Sequence, residues 1–252
     1  MAMSAIEKVF SVFEGVTSSD PDLATKYMNE ARFVEHAPAL ADGVEGFREY
    51  VRQAASGDHR IQSVRAFQDG AYVVAHSEGA IKGQSVFFDV FRFEDGLIVE
   101  HWSFSAPGAA PNMSGHTQTD GPVVASGFEN TEKNKTFVKD YYETVHVSGR
   151  HDDIPKYFHG DACIRHEPGV RDGVGAFMND LERLVRNRTI DEIKLVLGQG
   201  DFVFIVAAGT VNEEPCAYID LYRVEDAKIA ERWGFPQQIP PPPAWRNSNG
   251  PF

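Results

Sequence analysis

The chain repeats itself, and that period constrains the architecture before any single residue is read. At an offset of 130, Tyr27 meets Tyr157, His36 meets His166, Pro38 meets Pro168, Asp42-Gly43-Val44 meets Asp172-Gly173-Val174, and Phe47 meets Phe177. Gly70, Val73 and Gly79 then meet Gly200, Val203 and Gly209. One inserted residue moves the offset to 131. After it Asp89 pairs with Asp220, Arg92 with Arg223, Glu94-Asp95 with Glu225-Asp226, Glu100 with Glu231, and Trp102 with Trp233. So many matches in one order, with a single change of register, describe a tandem duplication. The boundaries that follow are a first repeat over 1–106, a linker over 107–131, a second repeat over 132–236 and a Pro-rich arm over 237–252.

Both copies read alike. An opening helix carries apolar residues at helical spacing: Ile6, Val9, Phe10 and Phe13, or Phe137, Val138, Tyr141 and Val145. A short strand follows, at 32–36 or 162–166, then a turn holding Pro and Gly in which Asp42 or Asp172 can cap the next helix. That helix shows Val44, Phe47 and Val51, or Val174, Phe177 and Leu181. Three or four strands close each unit. Glu94-Asp95-Gly96 makes a good hairpin turn, whereas Glu225-Asp226-Ala227 lacks the glycine and should be strained. Helices followed by a run of antiparallel strands indicate an α+β unit, a curved sheet packed on helices. The two units are expected to meet through their sheet faces as an intramolecular pseudo-dimer, with further homo-oligomerisation left open. The arm, with four consecutive prolines before Ala244-Trp245, reads as an extended segment that packs back through its Trp or on a neighbouring subunit.

Composition narrows the function classes. Lys and Arg number 24 against 37 Asp and Glu, a formal charge of −13, which argues against a nucleic-acid binder or an anionic membrane surface as partner. No basic and apolar leader opens the chain and no apolar run reaches membrane-spanning length, so a soluble, cytoplasmic protein is expected. The two cysteines, Cys163 and Cys216, read as reduced structural thiols. Dinucleotide, Walker, nucleophile-elbow and zincin motifs are all missing, so no cofactor is implied.

Strand alternation then selects the side chains that share a face. Pairing Phe93 with Leu97 across the hairpin sets Asp89 opposite His101, with Ser103 on the same side and Glu100 and Trp102 on the other. The same arithmetic sets Asp220 opposite Arg232. An Asp–His pair holds the imidazole in one tautomer and an Asp–Arg pair keeps the carboxylate ionised; either is equally readable as a cross-strand charge pair. His36 and His166 end the first strand of each copy, placed either for proton transfer or to order the turn that follows. Tyr72, His76 and Phe88 make a candidate substrate lining; if Tyr72, Val74, His76 and Glu78 point inward, His36, His76 and His101 could converge with Asp89. That set is better explained as a proton-transfer group than as a metal site, since none has local ligand spacing. His59, His116, His146, His151 and His159 read as solvated.

The strings Phe33-Val-Glu-His-Ala-Pro, Asp42-Gly and Asp89-Val-Phe-Arg-Phe-Glu-Asp-Gly-Leu-Ile-Val-Glu-His-Trp102 resemble the SnoaL-like branch of the NTF2-like superfamily. Gly115-His-Thr, Asp120-Gly-Pro and the terminal Trp245-Arg-Asn-Ser-Asn-Gly-Pro-Phe resemble tandem members of it. The resemblance implies two cone-shaped α+β barrel units, each with a deep apolar pocket. Similarity to ketosteroid isomerase implies that His36 and His166 stand at the catalytic base, Asp89 and Asp220 at the oxyanion-hole Asp, and Tyr141 at the hydrogen-bonding Tyr, where the first copy has Phe13. SnoaL-type cyclases carry an acid/base Asp two residues after the His of the last strand; Ser103 and Gly234 occupy those positions, which speaks against cyclisation. The leading expectation is a cofactor-independent acid/base enzyme acting on a hydrophobic, aromatic or polyketide-like small molecule. Its chemistry would be aldol or retro-aldol lyase, isomerase or dehydratase chemistry. An epoxide or lactone hydrolase with a His-activated water and a non-catalytic small-molecule binder are the alternatives.

Overall fold

A computed structural model describes residues 3–54, 60–80 and 83–252. The chain divides into two compact units, one running to Gly108 and including Pro240–Phe252, the other Ala109–Ile239. Residues 109–131 therefore group with the second unit and the C-terminal segment with the first.

The first unit contains α1 (Ala5–Ser18), α2 (Pro21–Thr25), β1 (Val34–Glu35), α3 (Gly43–Ala54), β2 (Arg60–Asp69), β3 (Tyr72–Ala80), β4 (Gln84–Glu94) and β5 (Leu97–Pro107). Its sheet order is β1-β5-β4-β3-β2, antiparallel except for β1, which runs parallel to β5. The second unit repeats this with α4 (Thr131–Tyr141), β6 (Ile164–Arg165), α5 (Val174–Leu184), β7 (Arg188–Gln199), β8 (Phe202–Val211), β9 (Glu214–Glu225) and β10 (Lys228–Gln238), ordered β6-β10-β9-β8-β7. Both are α+β units with open five-stranded sheets, bent by bulges such as the register shift between Ser63 and Arg65. The one-residue insertion falls in a hairpin: three residues separate Ala80 from its partner Gln84, and four separate Thr210 from Pro215.

Helix α1 starts with a reciprocal cap, Ser4 Oγ accepting from the Glu7 amide at 3.2 Å while Glu7 accepts from the Ser4 amide at 2.6 Å. Its apolar stripe, Val9, Val12, Phe13 and Val16, packs with Phe33, Phe47, Val73, Ala75 and Phe91. That cluster defines an inner sheet face turned to the helices. Among the described residues, neither Asp42 nor Asp172 bonds an amide of the helix after it. Each instead accepts the amide of the short strand, Glu35 or Arg165, at 3.0 Å, which closes the turn back onto β1 or β6. The short strands span two residues each rather than five. Among the described residues, no helix is long and apolar enough to cross a membrane. Both cysteines are free and buried, and burial pushes the Cys163 thiol up to about 12.

Candidate active site

Two-residue hairpin loops set the register of each site. Glu94 pairs with Leu97, and a bulge between Arg92 and Phe93, which leaves Val99 of β5 unpaired, makes Phe91 the partner of His101 and Ser103 the partner of Asp89. In the second unit Tyr222 faces Arg232 and Gly234 faces Asp220. Asp89 and His101 thus share the inner face as diagonal neighbours, not as the directly opposed pair that a three-residue loop would give.

In the first unit a third residue completes the group. Glu35 pairs with His101 across the parallel β1–β5 ladder and is wholly buried. Its Oε2 lies 2.8 Å from His101 Nδ1, and Asp89 Oδ1 lies 3.2 Å from Nε2. Glu35 Oε1 accepts the Ala37 amide at 2.9 Å. Burial opposes charge on His101, but Glu35 and Asp89 outweigh it and hold the imidazole up at about 10. It is therefore an imidazolium at neutral pH, donating from both nitrogens, stacked on Phe91 at 4.6 Å and met edge-on by Phe47. A base already protonated until pH 10 cannot take a substrate proton.

His36 follows Glu35 and so points to the opposite face, stacking on Trp102 at 4.4 Å with Nδ1 3.0 Å from the Gly250 carbonyl. His166 does the same on Trp233 at 4.5 Å. Tyr72, His76 and Phe88 also lie on the outer face: Tyr72 pairs with Arg92 and His76 with Phe88, out of phase with Ala75 and Asp89. His76 stacks on Phe88 at 4.1 Å and sits 2.6 Å from an Arg65 nitrogen. The sheet therefore separates His36 and His76 from His101 and Asp89, and the four do not converge. His59 lies outside the described residues.

In the second unit the same inner positions border a cavity of about 440 Å³, whose wall includes Asp220, Arg232, His146, Phe177, Leu181 and Tyr218. Arg232 Nε and Nη2 reach Asp220 Oδ1 at 3.0 and 2.6 Å, and Nη1 contacts Glu167. Arg165, at the position of Glu35, pairs with Asp180 at 2.7 Å. Gly234 is required beside Asp220, because a Cβ there would collide with the carboxylate. Burial pushes the Asp220 carboxyl up to about 7, while a hydrogen bond lowers it. The ion pair on Oδ1 also favours the carboxylate. That hydrogen bond comes from Tyr142, 2.9 Å from Oδ2, and not from Tyr141. Tyr141 is buried with its hydroxyl lacking a hydrogen-bond partner among the described residues, and burial raises its pKa.

Helix α4 runs into a π-helical turn, Tyr142–Val147, a feature frequent at functional sites. The turn presents His146, which sequence reasoning placed in solvent. Its Nε2 is buried without a hydrogen-bond partner among the described residues, and burial with Arg232 and His151 pushes the imidazole down to about 3. It is neutral at all physiological pH. Nothing in the sequence signals a π turn, so His146 looked like a helix-end residue. His151 lines the cavity too, and His159 is exposed.

Residues 9–101 match the sequence profile of the SnoaL-like domain family. The first unit is a SnoaL-like domain. The second unit repeats its element order strand for strand, so the tandem architecture expected from the sequence holds. No curated protein matches the chain. Similar solved structures include an NTF2-like protein of unknown function from Cytophaga hutchinsonii (16% identity, 42% of this chain, 94% of that one, TM-score 0.37). TsrD from Streptomyces laurentii is 20% identical over 41% of this chain and 91% of its own, at TM-score 0.36. A protein with a ketosteroid isomerase-like fold from Catenulispora acidiphila, in complex with trimethylamine, is 14% identical over 40% of this chain and 86% of its own, also at 0.36.

Proposed function

We propose that the second unit is a cofactor-independent acid/base active site for a hydrophobic carbonyl compound, and that the SnoaL-like first unit is its non-catalytic counterpart. One observation carries this reading: a carboxyl at about 7, Asp220, on the wall of a cavity that also holds neutral His146. Titratable neighbours whose environments drive their pKa values apart are the mark of an acid/base assignment.

Asp220 is the base. Its oxygen takes the proton from the carbon next to the carbonyl, the C–H electron pair moves into the C–C bond, and the carbonyl oxygen becomes an enolate oxygen. A base near 7 combines a deprotonated population with useful proton affinity. His146, with its proton on Nε2, donates to that oxygen as a neutral imidazole, and the Arg232 guanidinium stabilises the developing charge. Returning the proton elsewhere isomerises the substrate. Expelling a β-hydroxyl dehydrates it, and breaking or making the next C–C bond gives aldol-type chemistry. Phe177, Leu181 and Tyr218 supply an apolar wall suited to an aromatic or polyketide-like body.

Proton abstraction can be read without the natural substrate. Aryl ketones and β-hydroxy ketones incubated with the protein in D2O should exchange their α-protons by NMR, with a rate limb near pH 7. Asp220→Asn should slow exchange by about a hundredfold. Saturable binding with no exchange would replace this reading with that of a small-molecule carrier, and unchanged exchange in the variant would remove Asp220 as the base.

A further inference from the structure

Away from the cavity, on the outer side of the second unit, His116, Asp120 and His166 place a ligand atom each within 4.8 Å of one another. His116 and Asp120 come from the segment after β5, and His166 from the end of β6. His166 Nδ1 is 2.6 Å from Asp120 Oδ1, and His116 Nδ1 is 3.3 Å from Oδ2. The far nitrogen of each ring meets a different carboxylate: His166 Nε2 lies 2.8 Å from Glu231 Oε1, and His116 Nε2 lies 3.1 Å from Asp172 Oδ2. Those two carboxylates are themselves fixed, Glu231 by Arg223 at 2.8 Å and Asp172 by the Arg165 amide at 3.0 Å.

This is the outer-shell pattern of a metal-binding histidine, whose remote N–H is held by a carboxylate so that the near nitrogen offers its lone pair. When the remote nitrogen of each ring carries the proton, both near nitrogens aim a lone pair at Asp120, and a cation between them takes the place that a second proton on each ring would otherwise fill. Charge points the same way. Three carboxylates touch the two rings and the Arg223 guanidinium offsets one, so a divalent ion with two neutral imidazoles balances the group. The Thr117 carbonyl, 3.0 Å from His166 Nδ1, accepts from that nitrogen when it is protonated and offers an oxygen to an ion that replaces the proton. Asp120 and His116 side chains are 40% and 28% exposed, which leaves an entry path. A tetrahedral ion with bonds of about 2.0–2.2 Å sets its donors about 3.3 Å apart, so binding would keep the His116–Asp120 spacing of 3.3 Å, widen the 2.6 Å His166–Asp120 approach and act within a group already inside 4.8 Å.

We propose that His116, Asp120 and His166 bind one divalent ion of the zinc class, which clasps the 112–120 segment over the 166–172 turn. The segment already follows that turn: the Met113 amide donates to the Val170 carbonyl at 3.1 Å, and Ser114 Oγ accepts the Asp172 amide at 2.9 Å. The first unit lacks the donors. There His36 Nδ1 meets the Gly250 carbonyl, and Asn249 rather than a histidine reaches Asp42, at 2.7 Å.

The test titrates the chelator-stripped full chain with Zn2+ by calorimetry and with Co2+ by visible absorption. One equivalent should bind, raise the melting temperature by about 5–10 °C at a hundredfold excess over Kd, and give a tetrahedral Co2+ spectrum. His116→Ala and Asp120→Asn should each weaken binding at least about thirtyfold, at roughly the 10–100-fold scale of lost metal contacts, while His36→Ala leaves it unchanged. Should a variant fail to fold, the Co2+ spectrum of the unaltered protein still reports nitrogen and oxygen ligation. An octahedral hexaaqua-type spectrum, no binding at 100-fold molar excess, or equal binding in the variants would mean a protonated histidine pair only, and would overturn the proposal.

Discussion

The two units put different charges at matching inner positions. Glu35, His101 and Asp89 of the first become Arg165, Arg232 and Asp220 in the second. The first set gathers two acids around one imidazolium and buries the group against Phe91 and Phe47. In the second, two guanidiniums replace an acid and a histidine, and new carboxylates appear to match: Glu167 where the first unit has Ala37, Asp180 where it has Tyr50. Ser103 gives way to Gly234, which clears space for the Asp220 carboxylate. Inverting a buried charge therefore required several coordinated changes, because an uncompensated buried ion costs several kcal/mol. A duplicated fold can thus keep its strands and helices while the two copies place differently signed groups at the same inner positions.

The largest expected effect strikes the second set alone. Arg232→Met leaves Asp220 and Glu167 without their shared cation and should cost about 3–5 kcal/mol in chemical unfolding. Adding Asp220→Asn and Glu167→Gln to that variant should recover much of the loss. If it recovers none, the charge-compensation account fails. Next in size is the asymmetry of activity. His101→Gln should leave ketone α-proton exchange within about threefold of the unaltered protein, against the hundredfold loss from Asp220→Asn. Similar losses from both would merge the two roles.

Stability against pH should also split the units. His101 is raised above its ordinary 6.5 to about 10, so its contribution is complete below 6.5 and is lost as pH rises through 10. Asp220 is raised above 3.8 to about 7, so the native state holds the extra proton between those values and stability falls as pH climbs from about 4 to 7. Hydrogen exchange should loosen β9 and β10 in the lower window and β4 and β5 in the upper. His101→Gln should flatten only the upper window. The smallest effect lies in the hairpins. Ala227 holds φ 57°, where the first unit has Gly96 at 77°. Ala227→Gly should stabilise by about 0.5–1 kcal/mol and Gly96→Ala should destabilise by a similar amount, measured by thermal melts.

That hairpin strain was legible in the sequence, as were the duplication, the α+β order and the shared face of Asp89 and His101. What escaped was phase and local irregularity. A two-residue strand gives alternation nothing to count, so His36 rather than Glu35 drew notice, although Phe33 in the core already implied that Glu35 points inward. The two-residue loop and the bulge between Arg92 and Phe93 together moved Asp89 two positions off its direct pairing with His101. The π turn after Tyr141 passed the carboxylate contact to Tyr142 and brought His146 to the cavity. Bulges and π turns carry no residue signature of their own, since they are settled by packing once the sheet exists.

The membership of Pro240–Phe252 in the first unit has a consequence for biosynthesis. Asn247 donates to the carbonyls of Ala37 and Leu40, Asn249 to that of Glu35, and the Arg246 amide to that of Pro38. A ribosome makes these residues only after the whole second unit. The turn after β1, translated early, must wait with open carbonyls until the whole second unit has emerged. A nascent chain thus finishes its earlier half after its later one, and a protease cutting within 240–252 would disturb the SnoaL-like unit before it touched the cavity.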